Sequence, residues 1–226
     1  MANRDIIVFD FETGGRNPHT CQPTQIAAIA LDGRNFRLKG TFNSEIRAIV
    51  DDEKAIAAGL GPIEEDALKV TGKTRAKIAK APQLKTVWKK FCAFVDKYNW
   101  KGTPFFAPIP AGFNIIGYDM HIINRLCKEF GPWDDKREQQ KLFSMVYKID
   151  VMDNVWMWTE GDPSIKSISM DSMRERMGLS SENAHDALQD VKDTANIMIK
   201  FMKTHRAVYR NLKIDKSFAD GDLYVK

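Results

Sequence analysis

Asp5-Ile6-Ile7-Val8-Phe9-Asp10-Phe11-Glu12-Thr13-Gly14-Gly15 is the stretch on which the reading of this chain turns. Its apolar run is continuous, as in a strand buried on both faces, and it ends in polar residues and a Gly-Gly turn. Strand side chains repeat every two residues, so Asp10 and Glu12 point to one face at the end of that strand. Two like charges side by side there repel, and each is costly to desolvate. A divalent cation resolves the conflict, and a hard ion such as Mg²⁺ takes oxygen ligands. A strand end whose acids face water is the plainer alternative, and Asp-x-Glu alone does not decide between them.

Outward from this strand, Gln25 to Leu31 predicts a second strand closed by Asp32-Gly33, and Phe36 to Phe42 a third. Asp-Gly is hairpin punctuation, so the second and third strands are expected to be antiparallel neighbours. Helical spacing follows over Glu64 to Val70 and Leu84 to Tyr98, where Val87, Trp88, Phe91, Phe94 and Val95 form one apolar stripe. Phe105 to Phe113 predicts a strand interrupted by Pro108 and Pro110. Asp119 to Phe130 predicts a helix stopped by Gly131-Pro132, and Met145 to Ile149 a fifth strand. Further helices are expected over Val151 to Trp158, over Ser169 to Met177, and from about Asp186 onward, with Leu188, Val191, Ala195, Met198, Ile199 and Met202 inward. Trp156 and Trp158 are read as core residues, with stacking on bases as the alternative. This order implies an α/β domain, a mixed five-stranded sheet with helices on both faces. Residues 1–205 are read as that domain and 206–226 as a C-terminal extension, docked or flexible.

Composition is compatible with such a domain. The 226 residues are 43% hydrophobic, enough to fill a core. The net charge of +4 allows a polyanionic partner without the extreme basicity of a histone-like protein. Cys21, Cys92 and Cys127 are odd in number and form no Cys-x-x-Cys pair, so neither a disulfide framework nor a thiolate zinc site is expected. No apolar run approaches the roughly 20 residues needed to span a bilayer. The N-terminus has no signal-peptide pattern, and a cytoplasmic protein without membrane association is the expectation. Gly-x-Gly-x-x-Gly and Walker patterns are missing, which weighs against a nucleotide-cofactor enzyme.

Two further acidic positions stand out. Asp119 lies where a loop enters a helix, after Asn114, a position that also suits an N-cap. His185-Asp186-Ala187-Leu188-Gln189-Asp190 opens the last helix. Five residues of helix turn through about 140°, so His185 and Asp190 converge only if His185 lies just outside the helix start. Asp186 then suits the positive helix end, and Asp193, one turn on, rivals Asp190 for the same face.

Taken together, Asp-x-Glu-Thr-Gly, Asn-x-x-x-Tyr-Asp and His-x-x-x-x-Asp, in this order, resemble the motifs of the DEDDh 3′→5′ exonucleases. These belong to the ribonuclease-H-like superfamily, with polymerase proofreading subunits and oligoribonuclease-type enzymes among them. The resemblance runs from about Ile6 to Phe201. It implies that Asp10, Glu12, Asp119 and Asp190 hold two Mg²⁺ ions, with Mn²⁺ able to substitute, and that His185 is the general base. It also implies Asp10 as the bridging ligand, in phosphodiester hydrolysis by metals roughly 3.5–4 Å apart. Asp186 stands where a related subfamily has Tyr, which sets that variant aside. The second motif departs from many bacterial members: Phe113 replaces a His, and one extra residue precedes Asp119.

Single-stranded DNA or RNA 3′ ends are the implied substrate, with a polymerase or replication protein as a further partner. Thr13, Gly14, Gly15, Leu68, Val70 and Asn114 are the expected substrate contacts, since glycines permit close backbone approach and Leu68 or Val70 can wedge against terminal bases. The basic series from Lys69 to Lys90 reads equally as a phosphate track or a solvated helix face. The alternatives are a ribonuclease-H-like endonuclease or resolvase using the same acids, and a non-catalytic nucleic-acid-binding polymerase accessory module.

Overall fold

The computed structural model describes residues 4–180 and 186–212. Along the chain run β1 (Ile6–Thr13), β2 (Pro23–Leu31), β3 (Leu38–Glu45), α1 (Asp52–Ala57), α2 (Glu65–Thr71), α3 (Arg75–Lys80) and α4 (Leu84–Asp96). There follow β4 (Ile109–Gly112), α5 (Asp119–Phe130), β5 (Trp133–Asp134), β6 (Gln139–Gln140) and β7 (Ile149–Asp150). The chain closes with α6 (Val151–Thr159), α7 (Met170–Met177) and α8 (Ala187–Leu212).

The main sheet has the order β3-β2-β1-β4-β7. The β1-β2-β3 half is antiparallel, with Ile6 opposite Leu31 and Glu12 opposite Gln25, while β4 and β7 add in parallel. The strand alternation foreseen for β1 divides two cores. Ile7, Phe9 and Phe11 pack with Val87, Trp88 and Phe91 of α4 and Ile122, Ile123 and Leu126 of α5. Ile6 and Val8 pack on the other face with Val151 and Val155 of α6, Met173 of α7, and Val191, Ala195 and Met198 of α8. Every residue of β2 is buried. Its small Ala27, Ala28 and Ala30 let helices on both faces approach the sheet closely. Helices thus cover both faces of a mixed five-stranded sheet, and no helix among the described residues is long and apolar enough to cross a membrane.

Several local expectations shift. β3 starts at Leu38 because Asp32 builds a longer turn: its side chain accepts from the amides of Arg34 and Asn35, and Phe36 adopts a φ of 63°. β4 is confined to Ile109–Gly112; Pro104–Phe106 winds into a 3₁₀ turn instead. β7 shortens to Ile149–Asp150, since Ser144 bonds to Pro108 O and receives the Tyr147 amide, turning the chain there. Trp156 and Trp158 are not core residues. They are 56% and 49% exposed because Val151 and Val155 take the inward face of α6, and Trp158 lies against Phe201 and His205 of α8. α8 passes residue 205 without a break, and Arg206 donates to the carbonyls of Gly33 and Arg34. The three cysteines are free.

Phe91 is the hub of the first core, with rings of Phe9, Phe42, Trp88 and Phe143 around it at 5.5–6.4 Å. Phe91→Ala is expected to cost about 3–5 kcal/mol, a cavity-forming loss. Trp156→Ala on the exposed face should stay within about 0.5 kcal/mol. Urea unfolding midpoints of the two variants check the contrast.

Candidate active site

Asp10 and Glu12 continue the β1 face that carries Ile6 and Val8, the face covered by α8. Ala187 and Val191 are fully buried against that face, and Asp190 belongs to the same side of the first helical turn. Oxygens of Asp10, Glu12 and Asp190 consequently lie within 4.8 Å of one another. Asp186 sets the helix start, its carboxylate accepting from the amides of Leu188 (3.0 Å) and Gln189 (3.3 Å). His185 lies outside the described residues.

Asp119 reaches β1 from α5. It is the first residue of that helix, 3% exposed, and Tyr118 rather than Asp119 takes the cap position. The last β1–β4 pair is Val8 with Ala111, and the amide of Phe11, further along β1, donates to Asp119 Oδ1 at 3.1 Å. Asp119 is therefore placed beside Asp10 but is not one of the three converging carboxylates. The loop that delivers it is tied down by Asp150 at the end of β7. That carboxylate accepts from the amides of Asn114 (2.9 Å), Ile116 (3.0 Å) and Met152 (3.1 Å). Asn114 itself serves this turn, with a φ of 59°.

Next to Glu12 opens a cavity of about 310 Å³ whose walls include Phe11, Thr13, Gly15, Val70 and Tyr118. Of the expected substrate contacts, Thr13, Gly15 and Val70 line it, Val70 being 54% exposed. Gly14, Leu68 and Asn114 do not. Gly14 lies beneath Ile63, where a Cβ would come within 2.2 Å of Ile63 Cδ1, and Leu68 packs toward Ala48, Ile63 and Ile78. The Tyr118 hydroxyl donates to Gly15 O at 2.6 Å and lies 2.7 Å from the Thr13 hydroxyl, fixing the cavity floor. The residue pattern of the sequence carried no signal for this role of Tyr118.

Sequence reasoning also missed two buried cations. Lys73 is buried, bonds Gln25 Oε1 at 2.7 Å and pairs with Glu45 at 3.1 Å on the Glu12 side of the site. Arg174 is buried behind Asp190 and Asp193. Asp193 is thus the partner of a guanidinium and lies outside the carboxylate trio. Within the basic series, Lys69, Arg75 and Lys77 pair with Asp66, with Asp52 and Glu65, and with Glu45, the Lys69 and Lys77 side chains remaining mostly exposed.

A family model described as exonuclease, RNase_T, matches residues 7–198. The chain belongs to this exonuclease family. No curated protein matches it at the level of sequence. Among solved structures, one of exonuclease I aligns with a TM-score of 0.68 at 20% identity, over 89% of this chain and 41% of its own. Escherichia coli exonuclease I in complex with a dT13 oligonucleotide aligns with a TM-score of 0.66 at 18% identity, over 96% and 43%. The zinc-bound form of the E. coli enzyme with single-stranded DNA aligns with a TM-score of 0.63 at 20% identity, over 89% and 41%. At these identities the likeness is one of fold, the ribonuclease-H-like arrangement expected from the motifs. The exonuclease chain spans about two fifths of the length of these relatives.

The electrostatics of this carboxylate cluster follow from its crowding. Burial, then the charge of Asp190, pushes Asp10 from its ordinary 3.8 up to about 7, with Arg174 pulling the other way. Burial, then Asp10 and Asp190, pushes Glu12 from 4.5 up to about 8. Asp119 is raised too, by burial and then by Asp10. Since the folded values of Asp10 and Glu12 exceed the unfolded ones, the metal-free folded state binds extra protons. Their favourable contribution is full below about pH 4 and is lost as pH rises through 7–8. Asp10→Asn is therefore expected to melt higher than wild type at pH 8 in chelator, by roughly 2–4 °C for each kcal/mol of repulsion relieved. The gap should shrink toward pH 5. Thermal melts across that range check the sign.

Proposed function

We propose that this exonuclease domain removes nucleotides from the 3′ end of single-stranded DNA, using divalent metal ions held by Asp10, Glu12, Asp119 and Asp190 and His185 as general base. The observation that carries the reading is that Glu12 belongs both to the converging carboxylates and to the wall of the adjoining cavity. The donor set fits the ions: the three converging ligands offer only carboxylate oxygens, the preference of Mg²⁺ and Mn²⁺, and their raised proton affinity is the demand a cation meets. Bound there, a pair of such ions supplies water activation and stabilisation of the departing 3′-oxygen.

The chain's own groups do the rest. The cavity receives the terminal nucleotide, its backbone approached closely at Gly15, with Thr13 and Tyr118 forming the polar floor and Val70 an apolar wall. Gly14, Leu68 and Asn114 support those walls and the Asp119 loop from behind. His185, five residues before Asp190, takes the proton from the attacking water. Single-stranded DNA is favoured as substrate because exonuclease I, which shares the fold, is in complex with a dT13 oligonucleotide. A duplex end must first unpair, at a cost of a few kcal/mol. In this reading residues 1–205 are the catalytic domain and 206–226 its extension, whose start is docked: α8 continues to Leu212 and Arg206 bonds the carbonyls of Gly33 and Arg34. A polymerase or replication partner, which the motif resemblance allows, plays no part in it.

A 5′-labelled single-stranded oligonucleotide should shorten stepwise from its unlabelled end in Mg²⁺ or Mn²⁺ and remain intact in EDTA. Early release of the label as a mononucleotide would reverse the polarity. Asp10→Ala should lose activity well beyond the roughly 10–100-fold typical of residues that only support a metal ligand. His185→Ala should lower kcat by about 10²–10⁴-fold while leaving Mn²⁺ binding near wild type, as befits a proton acceptor. A variant that instead regains full rate at high metal would make His185 a ligand.

A further inference from the structure

Arg174 is the largest fully buried side chain in the described structure, 1% exposed although it lies on the short helix α7. A guanidinium taken out of water is costly unless charge and hydrogen bonds compensate it. Here it makes three bonds: Nη1 to Asp171 Oδ1 at 3.0 Å, Nη2 to Asp190 Oδ1 at 2.5 Å and Nε to Asp193 Oδ2 at 2.8 Å. The three acids are not equivalent. The Asp171 side chain is 63% exposed, so its pairing is weakened by solvent. Asp193 is 5% exposed, and its second oxygen is held by Gln189 Nε2 at 2.8 Å. Asp190 is the one that also belongs to the trio with Asp10 and Glu12.

This division of labour has a consequence for charge. The buried Asp193 matches the buried guanidinium, and the two sum to zero. Arg174 therefore offers Asp190 a directed hydrogen bond, while Asp193 offsets part of the positive charge that would otherwise bear on the carboxylate centre. The planar guanidinium donates in a rigid fork, so with Nε fixed by Asp193 the direction of Nη2 is fixed as well. A lysine, with one compact ammonium, cannot reproduce that geometry.

We propose that Arg174 is a positioning residue which, anchored by Asp193, holds the Asp190 carboxylate in its ligand orientation before any ion arrives. The proposal rests on the metal-dependent reading above. It gives both members of the Asp190–Asp193 pair a role, one as ligand and one as counter-charge to the clamp.

The test is Mn²⁺ titration of the full chain, followed by the electron paramagnetic resonance of free Mn²⁺, for wild type, Arg174→Lys and the double variant Arg174→Met/Asp193→Asn. The double variant removes both buried charges together, avoiding the unpaired Asp193 that a single truncation leaves. Both variants should bind Mn²⁺ about 10–100-fold more weakly, the range for partners that orient a metal ligand. The Mn²⁺ concentration giving half-maximal cleavage should rise in parallel, with kcat at saturating metal changed far less. A folded double variant with wild-type Mn²⁺ affinity overturns the clamp, even if its metal-free melting temperature falls, because that pattern is a purely structural role. Wild type that binds no Mn²⁺ overturns the metal reading itself and the clamp with it, so the two failures are told apart by the wild-type titration.

Discussion

Carboxylate crowding at the end of a strand buried on both faces is the constraint around which this molecule is arranged. Unit charges about 5 Å apart repel by roughly 3 kcal/mol at an effective dielectric near 20. The fold brings Asp10, Glu12 and Asp190 to that distance and keeps Asp119 beside them. Such a cluster persists only where the surroundings over-determine it. β1 is locked by full-length pairing to β2, and α8 is pinned on the sheet by Ala187, Val191 and Ala195. The Asn114–Asp119 loop is held by Asp150. The cores are what hold the acids together, so the repulsion is a stability cost borne by hydrophobic packing on both faces.

The parts of this architecture that sequence periodicity can report are those built from long, regular runs. β1, β2, α4, α5 and α8 emerge from alternation or helical stripes because many side chains vote on each. β7 is two residues long and β4 is four with a proline inside, so their pairing is decided by neighbours and not by their own composition. The turn at Asp32 is set by one carboxylate accepting two amides, which displaced the start of β3. Trp156 and Trp158 look like core residues by type, but the helix face that buries Val151 and Val155 leaves them outside.

The site divides along similar lines. Strand alternation placed Asp10 and Glu12 on one face but left a water-facing strand end open, and all four acids were singled out only through the motifs taken together. Arg174, Lys73 and Asp150 were not readable, because a charged residue in an amphipathic segment ordinarily marks the solvated side. Their burial depends on partners as distant in sequence as Gln25 is from Lys73. Tyr118 shows the same limit from another side. Its neighbour Asp119 drew the eye, while its hydroxyl reaches back more than a hundred residues to Gly15.

The two buried cations share a design that bears on how an acidic centre can be stable yet still hungry for metal. Lys73 stands on the Glu12 side and Arg174 on the Asp190 side. Either one alone would cancel part of the negative charge that makes the centre attractive to a cation. Each, however, is accompanied by a carboxylate, Glu45 for Lys73 at 3.1 Å (shared with Lys77) and Asp193 for Arg174 at 2.8 Å. The charge of each flanking cation is thus partly offset before it reaches the centre, and Arg174 adds a directed bond to Asp190. Proton affinity is raised at Asp10 and Glu12, where they meet Asp190, and the adjoining cavity opens beside that point. Crowded carboxylates of this kind are relieved by a proton or by a cation, and a centre flanked in this way keeps that demand beside the cavity.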